Sequence, residues 1–393
     1  MTRRGTLVLL TALVSVGPLT TDLYLPSLPG MARAFVTTPD KVQLTLILFL
    51  ATYGLAQLVY GPLSDRYGRR PVLLGGLTIF VVTSAACTLA GSIGALIALR
   101  VAQALGACGA PVLARAIVRD LFDGAAAVRA LSLIGAAMAL VPVLAPVAGG
   151  VLEEAFGWRA GFVVLSGLGA LLLAVTWATL AETNRQPSIQ PLTPGHLALG
   201  YGRLLASRTY VSFVAGVGGA FAGLALFLAE SSFVLIDAMG LSPSAYGVAL
   251  AVVAAGYMLG NLLSARLAGR YSSHALSCVG IVTCLVAALA MLLAWAAGAD
   301  RPIAVILPMT VYMIGFGLVM PNGVAGAIVP WPEHAGAASA FLGFCQMLAS
   351  ALVILIASRI PHHDQSALAL GTTIVAAIGL VAFTWGVAKV RHD

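Results

Sequence analysis

Three features of this sequence predict an all-helical membrane protein of twelve spans, arranged as two groups of six around a polar linker. Of its 393 residues 60% are apolar and only 9% are charged, against about 25% charged in a soluble chain. Apolar runs of about twenty residues, the length that a hydrocarbon core of about 30 Å demands, recur along the whole chain. The basic residues that give a net charge of +7 sit singly or in small groups between those runs. That pattern is the positive-inside signature of a membrane protein rather than a nucleic-acid footprint.

Taken in order, the first six spans are Gly5–Pro29, Val42–Leu63, Val72–Gly91, Ala95–Ile117, Ala130–Leu152 and Ala160–Ala181. They form a first half over 1–181. A polar stretch over 182–208, with Pro187, Pro191 and Pro194, reads as a cytoplasmic linker. The second half, 209–393, holds Tyr210–Phe233, Tyr246–Leu267, Leu276–Ala297, Ile303–Ala325, Ala335–Ser358 and Ala367–Ala388. The first run carries Asp22 and several prolines and lacks a small-residue cleavage site, so it is an uncleaved span rather than a signal peptide. With both termini inside, inner segments hold fifteen Lys and Arg against five outside, Arg100 being left in the membrane. The five cysteines fall within spans and read as small buried hydrophobes. The six histidines lie outside the spans, and His362-His363-Asp364 in an outer loop lacks the further ligands of a metal site.

Two charges stand inside this apolar background. Asp22, in Thr21-Asp22-Leu23-Tyr24-Leu25-Pro26, and Arg100, in Leu99-Arg100-Val101-Ala102-Gln103, each cost at least a few kcal/mol at membrane depth unless compensated. Counted at 1.5 Å per residue, Asp22 lies about 7 Å and Arg100 about 9 Å outside the midplane. A shared depth lets them act as a coupled pair, with Arg100 snorkelling to the interface as the alternative. Leu63-Ser64-Asp65-Arg66 and Arg70 reappear 200 positions later as Leu263-Ser264-Ala265-Arg266 and Arg270. Two halves related by a parallel repeat are one known plan for transporters, with a binding site near the midplane.

Several motifs sharpen this reading. Gly61-Pro62-Leu63-Ser64-Asp65-Arg66-Tyr67-Gly68-Arg69-Arg70 resembles the loop signature of the major facilitator superfamily. The resemblance implies two six-helix halves around a central cavity. It also implies a cytoplasmic gate drawn from Gly61, Asp65, Arg66, Gly68, Arg69 and Arg70, with Asp120 as a partner. Arg100 and Gln103 lie in a stretch similar to the R-x-x-Q-G-x-G motif of proton-coupled members, with Ala104 at the first glycine position. Pro142, Pro146, Gly149 and Gly150 resemble the G-P-x-x-G-G signature of drug antiporters, with Ala145 in place of glycine. Small residues and prolines serve close packing and bending equally well. Together with Ala229-Glu230-Ser231-Ser232 and Met320-Pro321-Asn322-Gly323, these motifs resemble the bicyclomycin/chloramphenicol-resistance (Bcr/CflA) group of drug/proton antiporters.

The resemblance implies export of small amphipathic drugs across a bacterial inner membrane, by a monomer driven by protons and needing no cofactor. Asp22 would carry the proton and Arg100 would tune it, since hydration and a nearby guanidinium both move a carboxyl's proton affinity. One carrier acid gives about one proton per cycle. An apolar, aromatic drug cavity with few polar groups would draw on Tyr24, Tyr53, Gln103, Phe227, Glu230, Tyr257, Asn261, Asn322 and Gln346. Glu230 reads either as a solvated rim acid near the interface or as a cavity residue that attracts cationic drugs. No phosphate-binding loop of the Walker type occurs. A metabolite or nutrient carrier of the same fold remains an alternative. A membrane-embedded enzyme is the more distant one.

Overall fold

The structure, a computed structural model, describes residues 3–122, 124–184, 201–332, 335–359 and 365–388. Of the expected linker, residues 185–200 lie outside the described residues, as do His362, His363 and Asp364. The chain divides into two compact units, Met1–Thr193 and Pro194–Asp393. Unit 1 comprises α1 (Arg3–Asp22), α2 (Leu28–Ala34), α3 (Pro39–Tyr67), α4 (Arg69–Thr88), α5 (Ile93–Leu121), α6 (Gly124–Phe156) and α7 (Arg159–Thr179). Unit 2 begins with helical residues 201–206 (α8). It continues with α9 (Arg208–Ser232), α10 (Pro243–Leu267), α11 (Ser273–Ala296), α12 (Ile303–Ile328), α13 (Ala335–Ala357) and α14 (Ser366–Ala388). Among the described residues, twelve helical stretches are long and apolar enough to cross a membrane.

The helices start where the sequence supplies a start signal. Ser92, Ser207, Ser242 and Ser272 each cap the helix that follows, accepting a hydrogen bond from a backbone N–H three residues on. Pro39 and Pro243 stand in the first turn, where a missing N–H costs nothing. Several helices overrun the expected spans on the linker side: α3 reaches Tyr67 and α5 reaches Leu121. Asp65 and Asp120 therefore project from helices rather than loops.

Each unit buries its core by the same set of pairings. In unit 1 α5 packs on α3, α4 and α1, α7 on α4 and α1, and α6 on α1. In unit 2 α12 packs on α10, α11 and α9, α14 on α11 and α9, and α13 on α9. Read span for span, the six pairings coincide. The parallel repeat hinted at by Ser64 and Ser264 is thus a repeat of packing.

Two expectations are corrected here. The first span is not one helix: α1 ends at Asp22, a 3₁₀ turn spans Leu25–Ser27, and α2 resumes at Leu28. Pro26 cannot donate to a continuing helical ladder, and Pro29 stands in the first turn of α2, where a missing N–H costs nothing. His274 lies inside a span, in the first turn of α11, stacked on Phe383 with ring centroids 4.9 Å apart.

Candidate functional site

Asp22 closes α1 and is 7% exposed. Thr21 Oγ1 donates to its Oδ1 at 3.0 Å. Because the helix stops there, the last carbonyls of α1 have no partner within the helix and carry the negative end of its dipole. Arg100, fully buried on α5, reaches that end: its Nη1 donates to the Thr20 carbonyl at 3.3 Å. The same Nη1 donates to Gln103 Oε1 at 2.6 Å, and Gln103 Nε2 donates to Ser84 Oγ on α4 at 2.7 Å. The guanidinium lies 4.3 Å from the Tyr24 ring centroid, 4.2 Å from Phe49 and 5.9 Å from Phe162.

The structure thus brings Arg100 to the turn of Asp22 without joining the two in an ion pair. Three aromatic faces, worth about 2 kcal/mol each when desolvated, surround the cation, and its Nε and Nη2 make no hydrogen bond among the described residues. Of the predicted antiporter motif, Pro142 and Pro146 lie within α6, and Gly149 faces the break that follows Asp22. A Cβ on Gly149 would overlap the Leu23 carbonyl oxygen. Only glycine lets α6 approach the chain this closely.

A second cluster surrounds the turn between α3 and α4. Arg69 bridges Asp65 at 2.5 Å on its own side and Asp120 of α5 at 3.1 Å. It also donates to Ser64 Oγ at 2.6 Å. Glu182, just past α7, accepts the backbone N–H groups of Arg69 at 2.9 Å and Arg70 at 3.0 Å. It thereby fills the N-terminus of α4, whose own cap position, Gly68, has no side chain to do so. Gly68 sits at φ +99°, with the Glu182 carboxylate where a Cβ would stand. Partial burial works to raise the proton affinity of Glu182. The N–H groups of Asn184, Arg69, Arg70 and Thr183 outweigh it and hold the carboxyl below the ordinary range. Thr183 donates to Asp120 at 3.0 Å and Asn184 to the Asp65 carbonyl at 2.8 Å. Arg70 reaches the Trp177 carbonyl at 2.8 Å, and Arg66 lies over Tyr67.

Of the expected cavity residues, Tyr24, Tyr53 and Gln103 lie in unit 1 and the other six in unit 2. Tyr24 and Gln103 belong to the surroundings of Arg100, and the Tyr53 ring stacks on Phe49 at 5.9 Å. In unit 2 Phe227 is fully buried in helix packing. Asn261 donates to the Tyr257 carbonyl at 3.0 Å, and Tyr257 packs on Phe316. Asn322 donates to Ser264 Oγ at 2.7 Å, tying α12 to α10, and Gln346 donates to Met320 Sδ at 3.4 Å. Glu230 is 1% exposed, so the rim-acid reading is corrected: the span continues past Phe233 as a π-helical turn, Phe233–Ala238, which carries Glu230 inward.

Sequence reasoning missed Thr20, Ser84, Phe49 and Phe162 around Arg100, and Ser64, Glu182, Thr183 and Asn184 around Arg69. For the second set a signal existed: an acid and two hydrogen-bonding side chains directly follow an apolar run. No group of three or more His, Cys, Asp or Glu poised for a metal occurs among the described residues.

The profile of the Major Facilitator Superfamily matches residues 10–354. The "Multidrug resistance protein D" of Escherichia coli (strain K12) is 29% identical over 96% of this chain and 94% of its own length. The "Chloramphenicol resistance protein" of Pseudomonas aeruginosa is 32% identical, over 91% of this chain and 85% of its own. Among solved structures, a peptide transporter POT in complex with sulfate superposes with a TM-score of 0.80 at 13% identity, covering 98% of this chain and 94% of the other.

Proposed function

We propose that this chain, which belongs to the Major Facilitator Superfamily, exports small amphipathic drugs of the phenicol or bicyclomycin kind across a bacterial inner membrane in exchange for protons. The observation that carries the reading is the last turn of α1. There Asp22 and Arg100, the two charged side chains buried in unit 1 among the described residues, meet one helix end. The two drug-resistance relatives, similar over nearly their full lengths, support the substrate class.

Asp22 is the proton carrier in this reading, and Arg100, which keeps its charge at any working pH, responds to it. With Asp22 neutral, Arg100 rests among Tyr24, Phe49 and Phe162 and on the Thr20 carbonyl. Loss of the proton creates a carboxylate beside a guanidinium with two free nitrogens, and charge-assisted hydrogen bonding draws them together. Leu23 and Tyr24 directly follow Asp22 in the chain, and Tyr24 carries one of those rings, so both shift when that happens. Gly149 against Leu23 passes the shift to α6. A proton arriving from outside and a drug arriving from inside then each favour release of the other, as reciprocal coupling requires. The cluster of Asp65, Arg69 and Asp120 acts as the cytoplasmic gate, with both termini and the linker on the cytoplasmic side.

The test is transport in proteoliposomes under an imposed pH gradient, with neutral and cationic drugs and a set of small metabolites. Wild type should accumulate drug against its gradient, and Asp22→Asn should lose that accumulation while still equilibrating drug. Uphill transport by Asp22→Asn would remove Asp22 from the coupling role. Uphill transport of metabolites alone would favour the nutrient-carrier reading.

A further inference from the structure

We propose that unit 2 binds an anionic glycerophospholipid of the surrounding bilayer, with its phosphate on Arg208 of α9 and an acyl chain along α14. The site needs only a chain that spans a membrane. Its assignment to the cytoplasmic leaflet rests on the orientation proposed above.

The first turn of α9 packs beside the last turns of α14. Helical spacing puts Arg208, Val211 and Ser212 on one side of α9, and Ala382 and Trp385 on one side of α14. With Leu205 of α8 they line a groove of about 250 Å³. That is below the roughly 300 Å³ at which pockets for drug-sized molecules begin. It admits a group the size of a phosphate and its glycerol.

Arg208 is the cation of this groove. It is exposed, and its guanidinium has no ion-pair or hydrogen-bond partner among the described residues. The neighbouring hydroxyls are engaged: Ser212 donates to the Phe383 carbonyl at 2.5 Å, and Ser207 accepts from the Tyr210 N–H at 3.3 Å. The guanidinium, not the helix end, therefore supplies the positive charge. Among the described acids of unit 2, Glu230 and Asp237 lie at the far end of α9. Asp300 lies in the turn between α11 and α12, at the opposite face, since successive spans alternate in direction. A free guanidinium takes a phosphate through two parallel hydrogen bonds.

The groove has an apolar continuation. From Ala382 and Trp385 a depression of about 420 Å³ runs along α14 over Val381, Ile378 and Ala377. Ile378, Val381 and Trp385 are 62%, 68% and 71% exposed, so unit 2 leaves this surface to the lipid. A single cation beside an apolar channel fits an amphipathic anion. A soluble polyanion lacks the chain that the channel takes, and a zwitterionic headgroup brings its own cation next to Arg208. Trp385 marks the headgroup level, where tryptophan is enriched. Arg203 is exposed on α8, and Lys389 and Arg391 follow α14 in the sequence. Basic pockets between spans on the cytoplasmic side are the places where anionic headgroups bind.

Native mass spectrometry of the full chain in detergent reads the site without transport. Phosphatidylglycerol and phosphatidylcholine of equal chain length are the probes. Wild type should retain phosphatidylglycerol at least about five-fold better, the effect of one cation on an anionic lipid. Arg208→Gln should bring that ratio near one. Arg270→Gln, which removes an exposed arginine between α10 and α11, should leave it unchanged. Ala382→Phe fills the groove with the charge kept and should lower phosphatidylglycerol binding. A wild-type ratio near one, a ratio kept by Arg208→Gln, an equal fall in Arg270→Gln, or undiminished binding by Ala382→Phe each overturns the proposal. If Ala382→Phe does not fold, the two arginine variants still decide it. Failure of proton-driven drug transport in proteoliposomes would remove the exporter reading and leave these binding ratios untouched.

Discussion

In unit 1 Ser64 accepts a hydrogen bond from Arg69, itself held between Asp65 and Asp120. In unit 2 the repeat-related Ser264 accepts one from Asn322, and the position of Asp65 is taken by Ala265. The same joint between second and fourth spans is charged in one unit and neutral in the other. A charged joint responds to whatever changes hydration or brings a competing ion, and a neutral amide-hydroxyl contact does not. On the proposed reading of this cluster as a gate, switching falls to unit 1 and plain helix packing to the corresponding point of unit 2.

Removing the charge should therefore separate the two joints. Arg69→Ala leaves Asp65 and Asp120 facing one another without their common cation. The loss of hydrogen bonds to charged groups costs about 1.5–3 kcal/mol. We expect at least a ten-fold fall in drug transport, measured in vesicles against the protein content of the membrane. Asn322→Ala should lower transport only a few-fold. Equal losses would break the comparison.

Glycines give the next contrast. Gly149→Ala forces a methyl group onto the Leu23 carbonyl oxygen, and overpacking of that kind costs about 1–3 kcal/mol. Gly218 of α9 faces open space, so Gly218→Ala should be neutral or stabilise by about 0.5–1 kcal/mol. Thermal unfolding in detergent reads both. A harmless Gly149→Ala would sever the proposed link between the antiporter motif and Asp22.

Glu182→Gln comes next. The carboxylate caps two backbone N–H groups of α4, and loss of a cap costs about 1 kcal/mol. Its folded-state proton affinity is depressed, so its stabilisation is complete above the ordinary glutamate value of 4.5 and is lost as pH falls through the lower folded value. The group is largely exposed, so solvent screening keeps the effect small. Wild type should lose stability over that acid range, and Glu182→Gln should lose less. Parallel acid curves would show that the cap is not electrostatic.

What the sequence made legible follows from what hydropathy encodes. A span of about 20 residues must be apolar whatever it packs against, so twelve spans and their order were readable. The depth of a residue is a matter of counting, and the count put Asp22 and Arg100 at one level before the structure brought Arg100 to Thr20. Rotation about a helix axis leaves little trace in an all-apolar segment. Nothing in the spacing of Phe49 and Phe162 marks them as the rings around Arg100. Glu230 was left open between a rim and a cavity position because the span was ended at Phe233, and a π-helical turn has the composition of any apolar helix.

Ser264→Ala carries the smallest expected effect and the sharpest test of the neutral joint. The substitution removes the acceptor by which α10 receives the Asn322 amide, while Asn322 keeps its bond to the Leu318 carbonyl at 2.8 Å. The net worth of such a bond is about 0.5–1.5 kcal/mol. Ser64→Ala is the matched change in unit 1, where Arg69 retains both carboxylates. If the joints differ as their charges imply, Ser264→Ala lowers the unfolding temperature and leaves the pH profile of transport in place. Ser64→Ala should instead alter that profile, because it changes how Arg69 divides itself between Asp65 and Asp120. A shift in the profile for Ser264→Ala would mean that the neutral joint takes part in switching after all.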